Sequence, residues 1–415
     1  MQNKKLFFPF ITGLRGYAAL MVFLIHTGNL YGINRPFFNR MTEFGKYGVI
    51  VFFVISSFTI CLSIARKDKF NFKKYLSRRF FRIAPLYFLI SIICFAFGGA
   101  ISGGAYYMHL FGLSPYDPLN LVTHLTFTSL LMQQYQNSLV GVEWTVPLEF
   151  AYYLVLPAIF FLTKKNPLTV FVLMILGLFL ISHINIYLPI YLRRSGGGEW
   201  GLEQYLSIYC IGILLFFVLV GGRVLKNYKI SREKVIGSIL LLFIGIFYFS
   251  SSLSSSETLV LFLSLGLYIY SFVIKPRAIE YINNSIVRKV TANSDTFFLV
   301  LLIYGYVKYI VNFQNMFIAI FAGLAIVVSM ERKLLSRLIF ENKIILHFGK
   351  ISYSFYLLHL LFVVLAAKFG IFTGIPRVFV ILLAVTIVAT ITQKFIEEPF
   401  INGKALDFVY EKFKR

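Results

Sequence analysis

The sequence predicts an all-α fold: a polytopic transmembrane helical bundle of about 10–12 spans. Two observations support this prediction. Of the 415 residues, 58% are hydrophobic and 14% are charged, and the mean hydropathy is +0.78. A soluble chain of this length would need more polar surface than that. Apolar runs also recur at the length that a helix needs to cross a bilayer.

About twelve apolar runs are candidate spans, and they follow one another along almost the whole chain. They cover residues 8–30, 47–65, 83–101, 148–163, 168–184, 204–220, 235–252, 257–274, 296–312, 315–330, 351–367 and 376–394. Some runs are short or closely spaced, so a count of about ten or eleven fits equally well. A weaker stretch, 121–135, predicts an interfacial or re-entrant helix. We assign residues 1–400 to one membrane domain and 401–415 to a basic cytoplasmic tail.

The basic residues predict the orientation of the bundle. The net charge is +23, and the Lys and Arg residues cluster between the apolar runs. Under the positive-inside rule both termini are cytoplasmic, together with the basic segments 66–82, 223–234, 275–289, 331–350 and 397–415. The positive charge is thus interpreted as a topology signal beside anionic lipid headgroups, with a cytoplasmic site for a polyanionic small molecule as the alternative, and no nucleic-acid partner is expected. Arg193 and Arg194 are exceptions, because this topology places them outside.

The cysteines predict neither a disulfide framework nor a metal site. Cys61, Cys94 and Cys210 lie within or at the ends of apolar runs, without the spacing of metal ligands. We therefore expect no metal and no tightly bound cofactor. The first apolar run has no small-residue cleavage site, so we interpret it as a retained span.

The first span carries Arg15 and His26, two residues that are costly to place in a membrane. They are eleven positions apart, which is about 16 Å along an α-helix. A guanidinium binds phosphate well, and a neutral imidazole in a dry cavity is a good general base. The alternatives are a snorkelling anchor for Arg15 and a helix-end residue for His26. Gly13 and Gly16 permit close approach of a neighbouring helix.

Three arginines precede the third span. Arg78, Arg79 and Arg82 have i,i+3 and i,i+4 spacing, so all three can converge on one polyanion. The alternative is the end of a positive-inside loop. Pro85 is expected to start or kink the span that follows.

Two further segments place polar groups in apolar surroundings. Glu149 follows Trp144 and puts a carboxylate at the start of a span. It can stabilise the helix dipole, or it can act as a second acid/base group or orient the histidine. Ser352, Tyr356 and His359 share one helical face, for which polar interhelical packing is the alternative.

Together these segments resemble the acyltransferase-3 family of integral membrane acyltransferases. Arg15 and His26 have the family's ten-residue spacing on the first span, and Trp144 to Glu149 is similar to its Trp-Ser-Leu-x-x-Glu pattern, with Thr145 for Ser. The other matching segments are 48–56 on the second span, the arginine motif 78–85, the Ser-Tyr-Ser segment 352–359 and the Glu-x-Pro segment 397–400. Ser57 and Leu361 depart from the family's Gly and Pro.

The resemblance implies an enzyme that transfers an acyl group, usually acetyl, from cytoplasmic acetyl-CoA as donor substrate to a hydroxyl of an extracytoplasmic or lipid-linked glycan. On this hypothesis His26 is the general base, and Glu149 orients His26 or the acceptor from the outer side. The CoA phosphates are bound by Arg15, Arg78, Arg79 and Arg82. The substrate is contacted by Trp144, Ser354 and Tyr356.

The expected location is a bacterial inner membrane, with the lipid bilayer, acyl-CoA and a glycan or glycolipid as partners. The acceptor, the acyl chain length, a covalent acyl-enzyme stage and the oligomeric state are left open. Acceptor specificity is expected in 102–147 and around 185–203, where Arg193, Arg194 and Trp200 can meet a sugar. The rival prediction is a transporter or flippase for a glycan or organic anion, which also explains buried Arg, Glu and His.

Overall fold

The computed structural model describes residues 8–28, 42–67, 69–165, 202–217 and 334–401, with isolated positions 169, 170, 173, 220 and 225. Within these ranges all regular secondary structure is helical. The α-helices are α1 Pro9–Thr27, α2 Gly48–Ala65, α3 Phe72–Ala96, α4 Gly104–Leu110, α5 Pro118–Leu125, α6 Thr145–Lys165, α7 Leu202–Phe216, α8 Leu334–Phe340, α9 Lys343–Lys368, α10 Gly374–Thr392 and α11 Glu398–Ile401. Shorter turns are the 3-10 helices Phe44–Tyr47, Ser129–Leu131 and Gln133–Tyr135 and the π-helix Gln393–Glu397.

Six helices of the described residues are long and apolar enough to cross a membrane. They are Pro9–Thr27, Gly45–Ala65, Phe72–Ala96, Thr145–Lys165, Lys343–Lys368 and Gly374–Phe400. The prediction of an all-α, multi-pass membrane bundle is therefore confirmed for this part of the chain, and α7 falls on the predicted span 204–220. Outside the described residues lie nearly all of 168–184, the runs 235–252, 257–274, 296–312 and 315–330, the tail 402–415, and Arg193, Arg194 and Trp200.

Helices α1 and α9 run parallel and pack backbone against backbone near their starts. Gly13 and Gly16 on α1 and Gly349 on α9 leave no room for a side chain, since a Cβ on Gly349 would overlap the Thr12 carbonyl. Small residues at a helix contact permit this close approach. We call the end where α1 and α9 begin the basal end of the bundle, and the end where they finish the apical end.

Helix α3 begins well before the predicted span 83–101. The side chain of Asn71 caps it by accepting a hydrogen bond from the Lys74 amide at 2.9 Å. Pro85 lies inside the helix and does not start it, which leaves the alternative that it kinks the span. Close to Pro85, helix α9 contacts α3, since Tyr353 donates a hydrogen bond to the Ile83 carbonyl at 2.6 Å. The arginine motif 78–85 therefore lies within helix α3 and not in a loop before it.

The segment between α3 and α6 folds around one buried carboxylate. Glu143 accepts backbone N–H bonds from Leu139 at 2.8 Å, Val140 at 3.0 Å and Gly141 at 2.6 Å. Nε2 of the buried His124 lies 3.2 Å from the same carboxylate. Gly141 has φ +103°, a conformation that L side chains rarely adopt. The predicted helix at 121–135 is only partly present, since α5 ends at Leu125 and 3-10 turns follow.

Candidate functional site

A cavity opens between α1, α2, α3, α6 and α9. Its empty volume is about 630 Å³, a figure that includes the open solvent at its mouth. Its walls combine apolar side chains with convergent polar ones. The lining residues are Arg15, Val49, Phe52, Phe53, Ile55, Ser56, Thr59, Arg79, Arg82, Thr145, Val146, Glu149, Tyr153, Ser352, Tyr353 and Tyr356.

Three arginines of the sequence prediction meet in this cavity: Arg15 from α1, and Arg79 and Arg82 from successive turns of α3. They are far apart in the chain, and the close packing of the helices brings them together. Arginine is the residue best suited to bind phosphate by paired hydrogen bonds. The wall formed by α1 and α3 is therefore suited to a polyanion.

The guanidinium of Arg79 is held in a defined plane. It donates a hydrogen bond to Ser63 Oγ at 3.1 Å. Its Cζ lies 5.6 Å from the centroid of the Tyr75 ring and 5.4 Å from that of the Tyr153 ring, both within cation–π range. Because the group is fixed before any ligand arrives, less side-chain entropy is lost on binding.

Arg78 does not join this cluster. Its side chain is exposed and is not among the residues that line the cavity. Around the helix axis Arg82 lies between Arg78 and Arg79, which are about 100° apart, and Arg78 is on the side that faces solvent. The structure therefore brings Arg79 and Arg82 together with Arg15 and leaves Arg78 outside the cavity, and a contact of Arg78 with a polyanion stays a prediction.

Glu149 lies among the arginines. Its Oε1 accepts hydrogen bonds from Ser56 Oγ at 2.8 Å and from the Tyr153 hydroxyl at 2.6 Å. Helix α6 begins at Thr145, so Glu149 is one turn inside the bundle and faces α2. His26 does not line this cavity. Glu149 therefore lies in the cavity with Arg15, Arg79 and Arg82, and its role in orienting His26 or the acceptor stays a prediction.

Glu397 is a site residue that the sequence reasoning did not select. It is 4% exposed, and its carboxylate accepts a hydrogen bond from Ser354. It lies close enough to Arg82 and Arg15 for their charges to interact. The π-helix that ends α10 turns it inward, and such segments are frequent at functional sites. The Glu-x-Pro motif at 397–399 was the available signal.

The three predicted substrate contacts have different positions. Tyr356 lines the cavity at its apical side, where its hydroxyl donates to the Val142 carbonyl at 2.6 Å and accepts from Thr145 Oγ1 at 3.1 Å. Ser354 is buried against Glu397, and its neighbour Ser352 lines the cavity instead.

Trp144 lies behind the cavity wall. Its ring packs against Phe53 at 6.2 Å and Tyr205 at 5.4 Å, measured between ring centroids. It therefore supports Phe53, which does line the cavity. Trp144 itself is not among the residues that line the cavity, and its contact with a substrate stays a prediction.

His26 lies beyond the apical side of the cavity and faces a second histidine. The rings of His26 and His359 have centroids 5.1 Å apart. His359 is fully buried, and its Nδ1 donates to the Tyr356 carbonyl oxygen at 2.6 Å. Tyr356 therefore connects the cavity to the histidine pair. Sequence periodicity had placed His359 on the face of Ser352 and Tyr356 without giving it a role.

The described residues contain no group of three or more His, Cys, Asp and Glu side chains that could hold a metal ion. Cys61, Cys94 and Cys210 are buried free thiols. The side chains described at the site can supply ionic binding by arginine, acid/base chemistry by histidine and glutamate, and hydrogen bonding by hydroxyl groups.

Comparison with known families identifies the class of protein. A family model described as an acyltransferase domain, that of the acyltransferase-3 family, matches residues 8–393. The match includes the arginine cluster, Glu149 and both histidines. The chain therefore belongs to the acyltransferase-3 family.

Three curated relatives are similar to parts of the chain. Acyltransferase MdmB of Streptomyces mycarofaciens is 31% identical over 38% of this chain and 41% of its own length. The O-acetyl transferase of Shigella phage Sf6 is 26% identical over 52% of this chain and 63% of its own length. The putative acetyltransferase ORF330 of Acidianus two-tailed virus is 28% identical over 49% of this chain and 59% of its own length. The chain thus spans between 41% and 63% of these relatives. No solved structure matches.

Proposed function

We propose that the protein transfers an acyl group, most simply acetyl, from cytoplasmic acyl-CoA to a hydroxyl of an extracytoplasmic or lipid-linked glycan. The observation that carries the proposal is the cavity in which Arg15, Arg79 and Arg82 converge, continued by Tyr356 toward His26. Family membership supports acyl transfer, and one relative is named an O-acetyl transferase. A bacterial inner membrane is the compartment that fits a cytoplasmic donor and an external glycan.

The donor end is assigned by charge. Arg15, Arg79 and Arg82 carry three positive charges, against the two carboxylates Glu149 and Glu397. The cluster therefore keeps an excess positive charge when both carboxylates are ionised. The phosphates of CoA are the anionic groups of this donor, and charge-assisted hydrogen bonds hold them better than neutral ones would.

Glu149 acts in this proposal on the donor side. With Tyr153 it fixes the geometry of the arginine wall before the phosphates arrive. It also keeps the buried guanidinium groups partly neutralised in the empty site, since unpaired buried charge is costly. This replaces the role that the sequence suggested for Glu149 at the acceptor.

The acyl end is assigned to His26. The acceptor oxygen attacks the thioester carbonyl carbon while its O–H proton passes to the imidazole. A C–O bond forms and the C–S bond breaks. The imidazolium then returns the proton to the CoA thiolate, so CoA-SH and the ester leave and His26 is neutral again. Tyr356 lines the cavity and packs against His359, which supports a contact with the thioester or the acceptor in this proposal.

The test of the acyl-transfer assignment is His26→Ala. We expect acyl transfer from acetyl-CoA to fall about 10²- to 10⁴-fold, the usual contribution of a general base. O-acetyl content of surface glycans, measured by mass spectrometry in cells that produce each variant at equal membrane level, provides the readout. Unchanged acetylation by the variant would overturn the assignment. Movement of an unmodified glycan or organic anion, without acyl transfer, would favour the rival transporter.

The test of the donor site compares two neighbouring arginines. Arg82→Ala removes a cavity residue, and we expect the KM for acetyl-CoA to rise about 10- to 100-fold, the loss of one charge-assisted interaction. Arg78 is exposed and lies one turn earlier, so Arg78→Ala is the matched control. It should change the KM for acetyl-CoA less than about 3-fold. Equal effects of the two substitutions, or an effect of Arg82→Ala on acceptor KM alone, would place the CoA phosphates elsewhere.

A further inference from the structure

Nε2 of His359 is a buried polar atom without a partner among the described residues. The side chain is 0% exposed. Buried nitrogen atoms nearly always make a hydrogen bond, because water is no longer available to them. Such an atom in a native structure needs an explanation, for example a catalytic role, strain or an ordered water.

The hydrogen bond at the other ring nitrogen fixes the tautomer of His359. Nδ1 lies 2.6 Å from the Tyr356 carbonyl oxygen, and a carbonyl oxygen only accepts. Nδ1 therefore carries the proton. In the neutral ring Nε2 then presents a lone pair, so it is an acceptor that needs a donor.

The ring of His26 is the neighbouring group that can supply this donor. The two ring centroids are 5.1 Å apart with an angle of 47° between the planes, while the other ring neighbours are Phe355 at 6.5 Å and Tyr356 at 5.8 Å. At this centroid separation the two rings are direct neighbours. A hydrogen bond between them requires the His26 ring to rotate about χ2, which is a soft torsion in histidine.

We propose that His359 is a positioning residue for His26. Its Nε2 accepts the N–H of one His26 nitrogen, which leaves the other His26 nitrogen unprotonated and directed at the acceptor hydroxyl. When His26 takes the hydroxyl proton, the imidazolium has an N–H on each side, and His359 stabilises the inner one. No proton moves to His359, and the thiolate receives the proton from His26 as before. This inference rests on the proposed function, because it needs His26 as the base.

The backbone connection explains how this arrangement is coupled to the cavity. His359 is held by the Tyr356 carbonyl, and the side chain of the same Tyr356 lines the cavity. The Tyr356 hydroxyl is fixed in turn by the Val142 carbonyl at 2.6 Å. The second histidine is thus part of the same rigid turn of α9 as the cavity wall.

The test separates the two nitrogens of His359. In His359→Asn the amide N–H can still reach the Tyr356 carbonyl, but no acceptor remains at the position of Nε2. In His359→Gln the longer side chain places its amide oxygen near that position. We expect His359→Asn to lower kcat about 10- to 100-fold with both KM values changed less than about 3-fold. His359→Gln should retain kcat within about 5-fold of the original enzyme.

Two more variants complete the design: a second one that lacks a hydrogen-bond acceptor at the position of Nε2, and a double variant. His359→Phe keeps an aromatic ring in the same apolar surroundings and should lose turnover as His359→Asn does. His359→Asn should add little to the loss already caused by His26→Ala, since the two residues act as one unit. Unchanged kcat in both His359→Asn and His359→Phe, or equal losses of kcat in His359→Gln and His359→Asn, would overturn the inference. Full activity of His26→Ala would instead overturn the proposed function.

Discussion

Tyr153 connects the two kinds of charge in the cavity. Its hydroxyl donates to Glu149 at 2.6 Å, and its ring lies 5.4 Å from the Arg79 guanidinium. One side chain thus orients a carboxylate with its polar end and an arginine with its face. Such a residue cannot be recognised from sequence, because Tyr153 lies in a Phe- and Tyr-rich apolar run and its partners come from other helices.

The two functions of Tyr153 can be separated by substitution. Tyr153→Phe keeps the ring beneath Arg79 and removes the hydrogen bond, so we expect the KM for acetyl-CoA to rise about 3- to 10-fold. Tyr153→Leu also removes the cation–π contact and should raise it further, by about 3- to 30-fold. Steady-state kinetics on purified variants measures both. Identical KM values for the Phe and Leu variants would mean that the ring does not position Arg79.

At the scale of elements, the contact between α1 and α9 determines the relative positions of Arg15 and the two histidines. Gly13, Gly16 and Gly349 bring the two backbones together at the basal end. At the apical end the Phe23 and Phe355 rings pack at 5.7 Å, just before the histidine pair. The helices therefore form one unit along the full length of α1.

A bulky residue in this contact should separate the helices. We expect Gly349→Leu to lower stability by about 1–3 kcal/mol or more, because the new side chain overlaps the Thr12 backbone and α1 must shift. Ala367→Leu is the control, since Ala367 is on the same helix and exposed. Thermal unfolding in detergent compares the two. An equal, small effect of both substitutions would contradict the close packing described for α1 and α9.

The positions of the helices could be predicted from the sequence, whereas the tertiary contacts between their side chains could not. Apolar length identified each of the six long helices, because a membrane allows few alternatives for an apolar segment. The start of α3 was missed because residues 72–82 are polar and basic, and a cap at Asn71 is visible only once the helix is seen. The neighbours of Glu149 and Glu397 were missed because they are tertiary contacts between distant segments.

At the scale of the whole molecule, the proposed mechanism requires one orientation in the membrane. The arginine wall lies toward the basal end of α1 and must face the cytoplasm to meet CoA. The His26 and His359 pair lies toward the apical end and must face the acceptor. The basic segments of the sequence predict the same orientation.

Cysteine labelling can test this orientation directly. The native cysteines are buried, so a new exposed thiol should dominate the reaction with a membrane-impermeant maleimide. Phe369→Cys, at the apical end of α9 and 70% exposed, should be labelled in intact cells. Ile344→Cys, at the basal end and 71% exposed, should be labelled only after the membrane is opened. The opposite pattern would reverse the orientation and remove the donor from the arginine wall.

The unbroken helix between Arg15 and His26 has a consequence for the choice of donor. Because α1 has no break across these eleven positions, the separation of about 16 Å cannot adapt to a shorter molecule. On the proposed mechanism a donor must reach both ends at once, so the length of its arm is selected together with its acyl group. Acetyl thioesters of short thiols, which lack the phosphates, should therefore react slowly even though they present the same acetyl group.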